Sequence, residues 1–286
     1  MQSLSGLGGL ARFLAGVYLV YFLGVFQAVY LELERASFDV RYNAYNIDYV
    51  GERLNVATAN IINSLESSLA PLAIIALVWI IGGILLASGW DHLRFKWPGR
   101  IRLLYSFTVY AIYAILALAI LYPALKVFGA LERLGSMELV EAIRPLGETF
   151  IVPHAYALPL ILPLVRSILV VRYSGVGRVA GALLILGSIL YLVSAYNVYR
   201  AIKPFTVIRE HWTKLTSTGF TEEGLIELSI VTLETSQLMM LRVVELVKVL
   251  ALASLLYGLA FITMNRRVQE TLGGLAKTLK ERMRLR

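Results

Sequence analysis

The stretch Gly224 to Met264, GLIELSIVTLETSQLMMLRVVELVKVLALASLLYGLAFITM, contains no proline and no interior glycine before Gly258. Nothing in it interrupts an α-helix, so it predicts one helix of about 40 residues, roughly 60 Å long at 1.5 Å per residue. That is about twice the length needed to cross a bilayer. Its second half, 249–264, is almost purely apolar. Its first half is striped: at about 100° per residue, Glu227, Glu234, Gln237, Arg242, Glu245 and Lys248 fall in one sector, with Leu, Ile, Val and Met on the rest. A polar stripe therefore descends one face of the helix and runs into a membrane-spanning segment.

The rest of the chain supports that solvent. Of 286 residues, 58% are hydrophobic and 16% charged, which describes a polytopic membrane protein rather than a soluble domain. Six apolar runs of roughly 20 residues each read as spans, at about 11–31, 69–89, 103–125, 151–171, 179–199 and 243–264. The fold class expected is all-α, with six transmembrane helices and ordered helical outer segments. The opening MQSLSGLGGLARFLAGVYLV has no A-x-A-type cleavage site and runs directly into a full-length span, so no cleavable signal peptide is expected.

Orientation follows from charge. The N-terminus, 91–102, 172–178 and the tail hold 14 Lys/Arg against three acids, Asp91, Glu270 and Glu281. The alternate segments 32–66, 126–150 and 199–240 hold 10 Lys/Arg and 15 acids. The positive-inside rule places the first set, and with it both termini, in the cytoplasm. Two outer segments carry aromatic residues suited to the headgroup level: Tyr42, Tyr45 and Tyr49 in one, Phe205, Trp212 and Phe220 in the other. The tail 266–286 is basic, with Val268, Leu272, Leu275 and Leu279 near one face. It reads as an interfacial helix lying on anionic headgroups, or as a docking segment for a cytoplasmic partner such as a motor ATPase.

Helical stripes lead into each even-numbered span. They occur in 54–68 (LNVATANIINSLESS), in 136–149 (SMELVEAIRPLGET) and in the stretch described first. Each ends in a short related string around Glu66, Glu148 or Glu234, which lie 82 and 86 positions apart. The spacing suggests three two-span hairpins, about 1–90, 91–172 and 173–265, with the three glutamates around an outward vestibule. The alternative is that any acid-leaning outer helix ends in Glu and Ser/Thr as a cap or interface residue.

Arg242, Glu245 and Lys248, spaced i, i+3 and i+6, are the main candidates for a polar conduit. If their span begins near Met240, they sit in the outer leaflet and must face a bundle interior; if it begins near Val247, they are ordinary ion pairs above the membrane. Arg166 lies near the cytoplasmic end of the fourth span and is explained by snorkelling or by function. Pro153, Pro159 and Pro163 make that span a candidate broken helix of the kind that lines transport sites. His154 beside them is a possible titrating group or an outer-interface residue, and Gln27 and Asn197 suit hydrogen bonds between helices. The pairs Gly16/Gly24 and Gly82/Gly83 and the cluster Gly181/Ala182/Gly187/Ser188 indicate close helix packing.

The chain has no cysteine, and its three histidines, His92, His154 and His211, lie far apart. Disulfides, thiolate chemistry and a His-based metal site are thereby set aside. No P-loop, GxSxG, HExxH, CxxC or paired intramembrane aspartates occur, so neither an enzyme nor a cofactor is expected.

Six spans, the ordered outer segments 54–68 and 222–240, a short basic cytoplasmic face at 91–102 and no catalytic signature together form an overall plan. That plan is similar to the polytopic membrane subunit of the crenarchaeal DNA-import (Ced) machinery, itself likened to the inner-membrane channel component of type IV secretion systems. The resemblance implies a channel or platform role in DNA import across the cell membrane. It also implies partnership with a small two-span pilin-like subunit and a cytoplasmic translocation ATPase, with DNA as the cargo. It supplies no residue-level site. The Cys-free composition rich in Leu, Ile, Val and Arg fits an archaeal hyperthermophile. The readings from other classes are an ion-coupled small-solute transporter using the fourth span and Glu245, and a structural membrane assembly factor.

Overall fold

The computed structural model describes residues 4–43, 47–88, 98–131, 151–174, 176–219 and 221–264. The described residues are all-helical, in seven helices: α1 (Leu4–Asn43), α2 (Ile47–Ser88), α3 (Gly99–Leu131), α4 (Ile151–Ser174), α5 (Arg178–Ile202), α6 (Phe205–Thr218) and α7 (Glu222–Thr263). Segment 136–149 with Glu148, and the tail 266–286, lie outside the described residues. Among the described residues three stretches are long and apolar enough to cross a membrane: Gly6–Asn43, Arg178–Leu215 and Glu222–Thr263. Ala73–Leu85 in α2 is a shorter apolar stretch.

The long helix expected over 224–264 is α7, 42 residues without interruption. Thr221 caps it, its Oγ1 accepting the Gly224 N–H at 3.2 Å, and Glu222 and Glu223 in the first turn complement the helix dipole. The turn before it needs glycine: Gly219 has φ +94° and closes α6, its N–H donating to the Leu215 carbonyl. Pro204, which lacks an N–H to be satisfied, sits at the start of α6.

α7 is the axis of the molecule. It runs antiparallel to α1 over nearly its whole length, from Gly9 against Gly258 to Arg41 against Glu234. On another side it runs antiparallel to α5, from Gly187 against Tyr257 to Arg200 near Glu245. α1 pairs with α2, α4 with α5, α3 with α4, and α6 lies on α7. The α1–α7 crossing is close because glycines permit it: a Cβ on Gly258 would stand 2.5 Å from the Gly9 carbonyl oxygen and from the Phe13 nitrogen, and one on Gly16 would stand 2.9 Å from the Ala251 carbonyl.

Two storeys result. In one, Val29, Leu33, Ala36, Val40, Val50, Ala57 and Leu233 form a core among the second half of α1, the first half of α2 and the first half of α7. Salt bridges and a hydrogen bond brace its surface: Arg53–Asp39 at 2.7 Å, Arg41–Glu234 at 2.9 Å, and Asn60 Nδ2 donating to Glu32 at 3.0 Å. In the other, Tyr105, Val109, Tyr113, Leu160, Leu184, Tyr191, Tyr257 and Phe261 form a core shared by α3, α4, α5 and α7. A small cluster of Ala15, Phe22, Ile75, Val247 and Ala251 joins them.

The second storey is turned inside out relative to a soluble domain. Tyr21 (75% exposed), Leu103 (75%), Phe107 (72%) and Val179 (73%) face outward, whereas Arg12, Arg166, Ser188, Ser194, Asn197 and Ser254 are buried. Such an arrangement is stable where the surroundings are as apolar as the side chains that meet them, which is the condition inside a bilayer.

Candidate functional site: buried arginines and an ion-pair belt

The sequence around residue 12, LARFLAG, is apolar on both sides of a single arginine. α1 carries that side chain into the bundle, where it is 2% exposed. Its guanidinium lies flat over Trp79 of α2, 3.5 Å from the ring centroid, with the Tyr191 ring of α5 at 5.7 Å. Nη2 donates to the Tyr113 hydroxyl of α3 at 2.9 Å. Gly83 makes this possible, since a Cβ there would run into both the Tyr113 hydroxyl and Arg12 Nη2. Among the described residues Nε and Nη1 of Arg12 have no hydrogen-bond partner, and no carboxylate is within ion-pair distance. Stacking on an indole offsets about 2 kcal/mol of a desolvated cation's cost. Placing such a charge at the centre of a membrane costs about 2.5 kcal/mol or more, and far more on some measures.

A second arginine reaches the same place. Arg166 of α4 is 3% exposed, with the rings of Tyr105 and Phe261 each 5.8 Å from its guanidinium carbon. Arg12, Arg166, Gly83, Tyr105, Tyr113, Pro163 and Tyr257 line one cavity of about 20 Å³. It is roughly the size of one water. Beside it, neutral polar groups bind the helices together. The Ser167 and Ser188 hydroxyls are 2.6 Å apart, and the Ser188 hydroxyl is 3.1 Å from the Pro163 carbonyl, to which the Tyr257 hydroxyl also donates at 3.3 Å. The Tyr191 and Ser254 hydroxyls are 2.8 Å apart, and Trp79 Nε1 donates to Ser254 at 3.3 Å. These are interhelical contacts that require small hydroxyl residues.

α4 runs as a continuous helix through Pro159 and Pro163, with Pro153 in its first turn; Pro159 is fully buried. Arg166, 3% exposed, packs against the bundle rather than lying free on its surface.

The charges expected on α7 form a belt higher up. Arg242 Nη1 is 2.8 Å from Glu245 Oε2, and Arg200 of α5 lies 3.9 Å from the same oxygen. Arg200 stands where the apolar run 179–199 ends, so Glu245 lies level with the end of that run. Lys248 is exposed. Further along, Glu234 pairs with Arg41 and lines a groove of about 360 Å³ between α1 and α7, with Glu34, Ser37, Phe38, Tyr42 and Gln237. Glu66 lies on α2, more than 20 residues before its end, and Glu148 falls outside the described residues. Thus Glu234 and Gln237 share one groove, Arg242 and Glu245 share a second cluster, and Arg166 belongs to the cavity.

Arg12, Arg41 and Arg200 are the members that the sequence reading passed over. Arg12 had a usable signal, a lone guanidinium eight residues inside a helix of apolar composition. Arg41 and Arg200 had none, because their roles depend on which helix comes alongside. Compared with protein-family models, with curated proteins and with solved structures, the chain matches none.

Proposed function

We propose that this chain is a non-enzymatic platform subunit of a macromolecular transport machine in the cell membrane, and that the process it serves is DNA import. The observation that carries the platform part is the outer storey. The second half of α1 and the first halves of α2 and α7 extend the inner helices without a break and close over a core of their own. A solute carrier needs only short connections there, whereas a platform needs a rigid surface standing clear of the lipid. The assignment of DNA as cargo rests on the architectural similarity to the Ced membrane subunit, and with it come a two-span pilin-like subunit and a translocation ATPase as partners. In this reading six helices cross the membrane, α1, α2, α3, α4, α5 and α7, with both termini cytoplasmic. Glu66, Glu148 and Glu234 stand on the outward side around a vestibule.

The solute-transporter reading draws on Glu245, but that carboxylate is engaged by Arg242 and Arg200. Proton-driven solute uptake into proteoliposomes that disappears in Glu245→Gln would favour it over the platform.

The platform reading is tested in the source cell. Deleting the gene should abolish recovery of imported DNA, and the wild-type copy should restore it. In the Cys-free background, cysteines in place of Glu66, Glu148 and Glu234 should react with a membrane-impermeant thiol reagent and crosslink pairwise. Undiminished DNA import in the deletion strain removes the DNA assignment; failure of all three positions to react or crosslink removes the vestibule.

A further inference from the structure

We propose that the groove between α1 and α7 binds a small primary amine, its ammonium head on Glu34 and its apolar stem across Phe38 towards Tyr42. This goes beyond the platform reading and does not depend on it. The groove lies just beyond the apolar run 11–31 and has a volume of about 360 Å³, the lower end of the range for small-molecule clefts. Glu34, Ser37, Phe38, Arg41 and Tyr42 line it from α1 at the spacing i, i+3, i+4, i+7 and i+8, which is one helix face. Glu234 and Gln237 line it from α7. The charges are unequal. Arg41 is matched by Glu234 at 2.9 Å, which leaves Glu34 as one negative charge in excess. Among the described residues Glu34 has no ion pair; its one hydrogen bond comes from the Tyr30 hydroxyl at 3.3 Å. A carboxylate has acceptor capacity well beyond that.

The rest of the lining suits the two ends of such a ligand. Ser37 is 7% exposed and lines the groove, yet its hydroxyl makes no hydrogen bond among the described residues. The Gln237 amide makes none either. Both carry acceptor oxygens, and with the Glu34 carboxylate they match the three N–H donors of a primary ammonium. The stem is provided for by aromatic rings. Phe38 and Tyr42 stand with ring centroids 4.5 Å apart, and they are 60% and 61% exposed. An exposed ring pair one turn from an unpaired carboxylate offers apolar contact to a hydrocarbon stem and attraction to its cationic head. The same lining rejects other classes. An anion meets the excess negative charge. A quaternary ammonium has no N–H to offer Glu34, Ser37 or Gln237.

The test is equilibrium dialysis of radiolabelled n-butylamine against the full-length protein in a non-ionic detergent, with protein-free micelles as the blank. The expected result is saturable binding of about one amine per chain, unaffected by butyrate and displaced far less well by tetramethylammonium than by unlabelled n-butylamine. Glu34→Gln should weaken it by at least about tenfold, equivalent to about 1.4 kcal/mol. Phe38→Leu keeps the charges and removes a ring, and should weaken it about threefold. Glu52→Gln, an exposed acid on α2 away from the groove, should leave it unchanged. Glu34 is itself exposed, so its variant is expected to fold; circular dichroism and gel filtration check this, and the wild-type measurement stands without any variant. No saturable binding by the wild type overturns the proposal. So does unchanged binding in a folded Glu34→Gln protein. Displacement by tetramethylammonium as good as by n-butylamine overturns the hydrogen-bonded head in favour of a plain aromatic cation site. Saturable binding of a lysine-rich peptide with none of n-butylamine overturns it in favour of a protein partner.

Discussion

Gly83 decides whether Arg12 has a place in the bundle. Its missing Cβ is the space in which Arg12 Nη2 and the Tyr113 hydroxyl meet, so the smallest possible side chain is already too large. Overpacking of a filled interior costs about 1–3 kcal/mol. Gly83→Ala should therefore lower the thermal midpoint of the protein in detergent, although alanine is the better helix former by about 1 kcal/mol. A midpoint equal to or above wild type would mean that Tyr113 and Arg12 shift apart freely and that their contact does not organise the site. Little of this was legible beforehand. The pair Gly82/Gly83 was readable as a packing signal, but nothing local says that the neighbour it admits is a guanidinium from α1. Arg166 was visible as an odd residue in an apolar span, and its direction was not, because a side chain that long reaches either lipid headgroups or a cavity.

At the scale of elements, the helices were largely written in the chain and their partners were not. Uninterrupted apolar and striped runs predict α7, and the absence of glycine or proline over most of it leaves no other outcome. Which glycines lie at crossings depends on the neighbour. Of those singled out by spacing, Gly16, Gly82, Gly83 and Gly187 stand against another helix, while Gly24 and Gly181 have nothing within 4 Å of a built Cβ. The difference is testable in one pair of variants. Gly258→Ala places a methyl 2.5 Å from the Gly9 carbonyl and from the Phe13 nitrogen of α1, backbone that cannot yield without moving the helix. It should destabilise the protein by at least about 1–3 kcal/mol, or prevent its accumulation in the membrane. Gly24→Ala meets nothing and should be neutral or stabilising by up to about 1 kcal/mol. Equal melting temperatures for the two variants would contradict the α1–α7 packing. The ion pair Arg200–Glu245 belongs to the same class as Gly258. Its α7 member was a sequence candidate, but its α5 member becomes meaningful only once the two helices run antiparallel.

For the whole molecule the question is how many of these helices cross the membrane, and in which direction. The inside-out burial of the second storey and the three long apolar stretches argue for lipid around it. The charge asymmetry of the connecting segments predicts an orientation, with both termini cytoplasmic. A chain without cysteine allows the topology to be read one position at a time. Glu52 in the first turns of α2 and Glu223 at the start of α7 are exposed, as are Gly99 at the start of α3 and Gly177 before α5. In the six-span reading, Glu52→Cys, Glu138→Cys and Glu223→Cys react with a membrane-impermeant maleimide in intact cells, and Gly99→Cys and Gly177→Cys react only after permeabilisation. Glu138 is the discriminating position. It is separated from Gly99 by α3 and from Gly177 by α4, so labelling of Glu138→Cys only in permeabilised cells would leave α3 and α4 on the cytoplasmic side and reduce the count to four. In the six-span reading the inner helices share one depth. Arg166 on α4 and Tyr113 on α3 border the same cavity as Arg12 on α1, and α3 and α4 must reach the depth of α1 to do so.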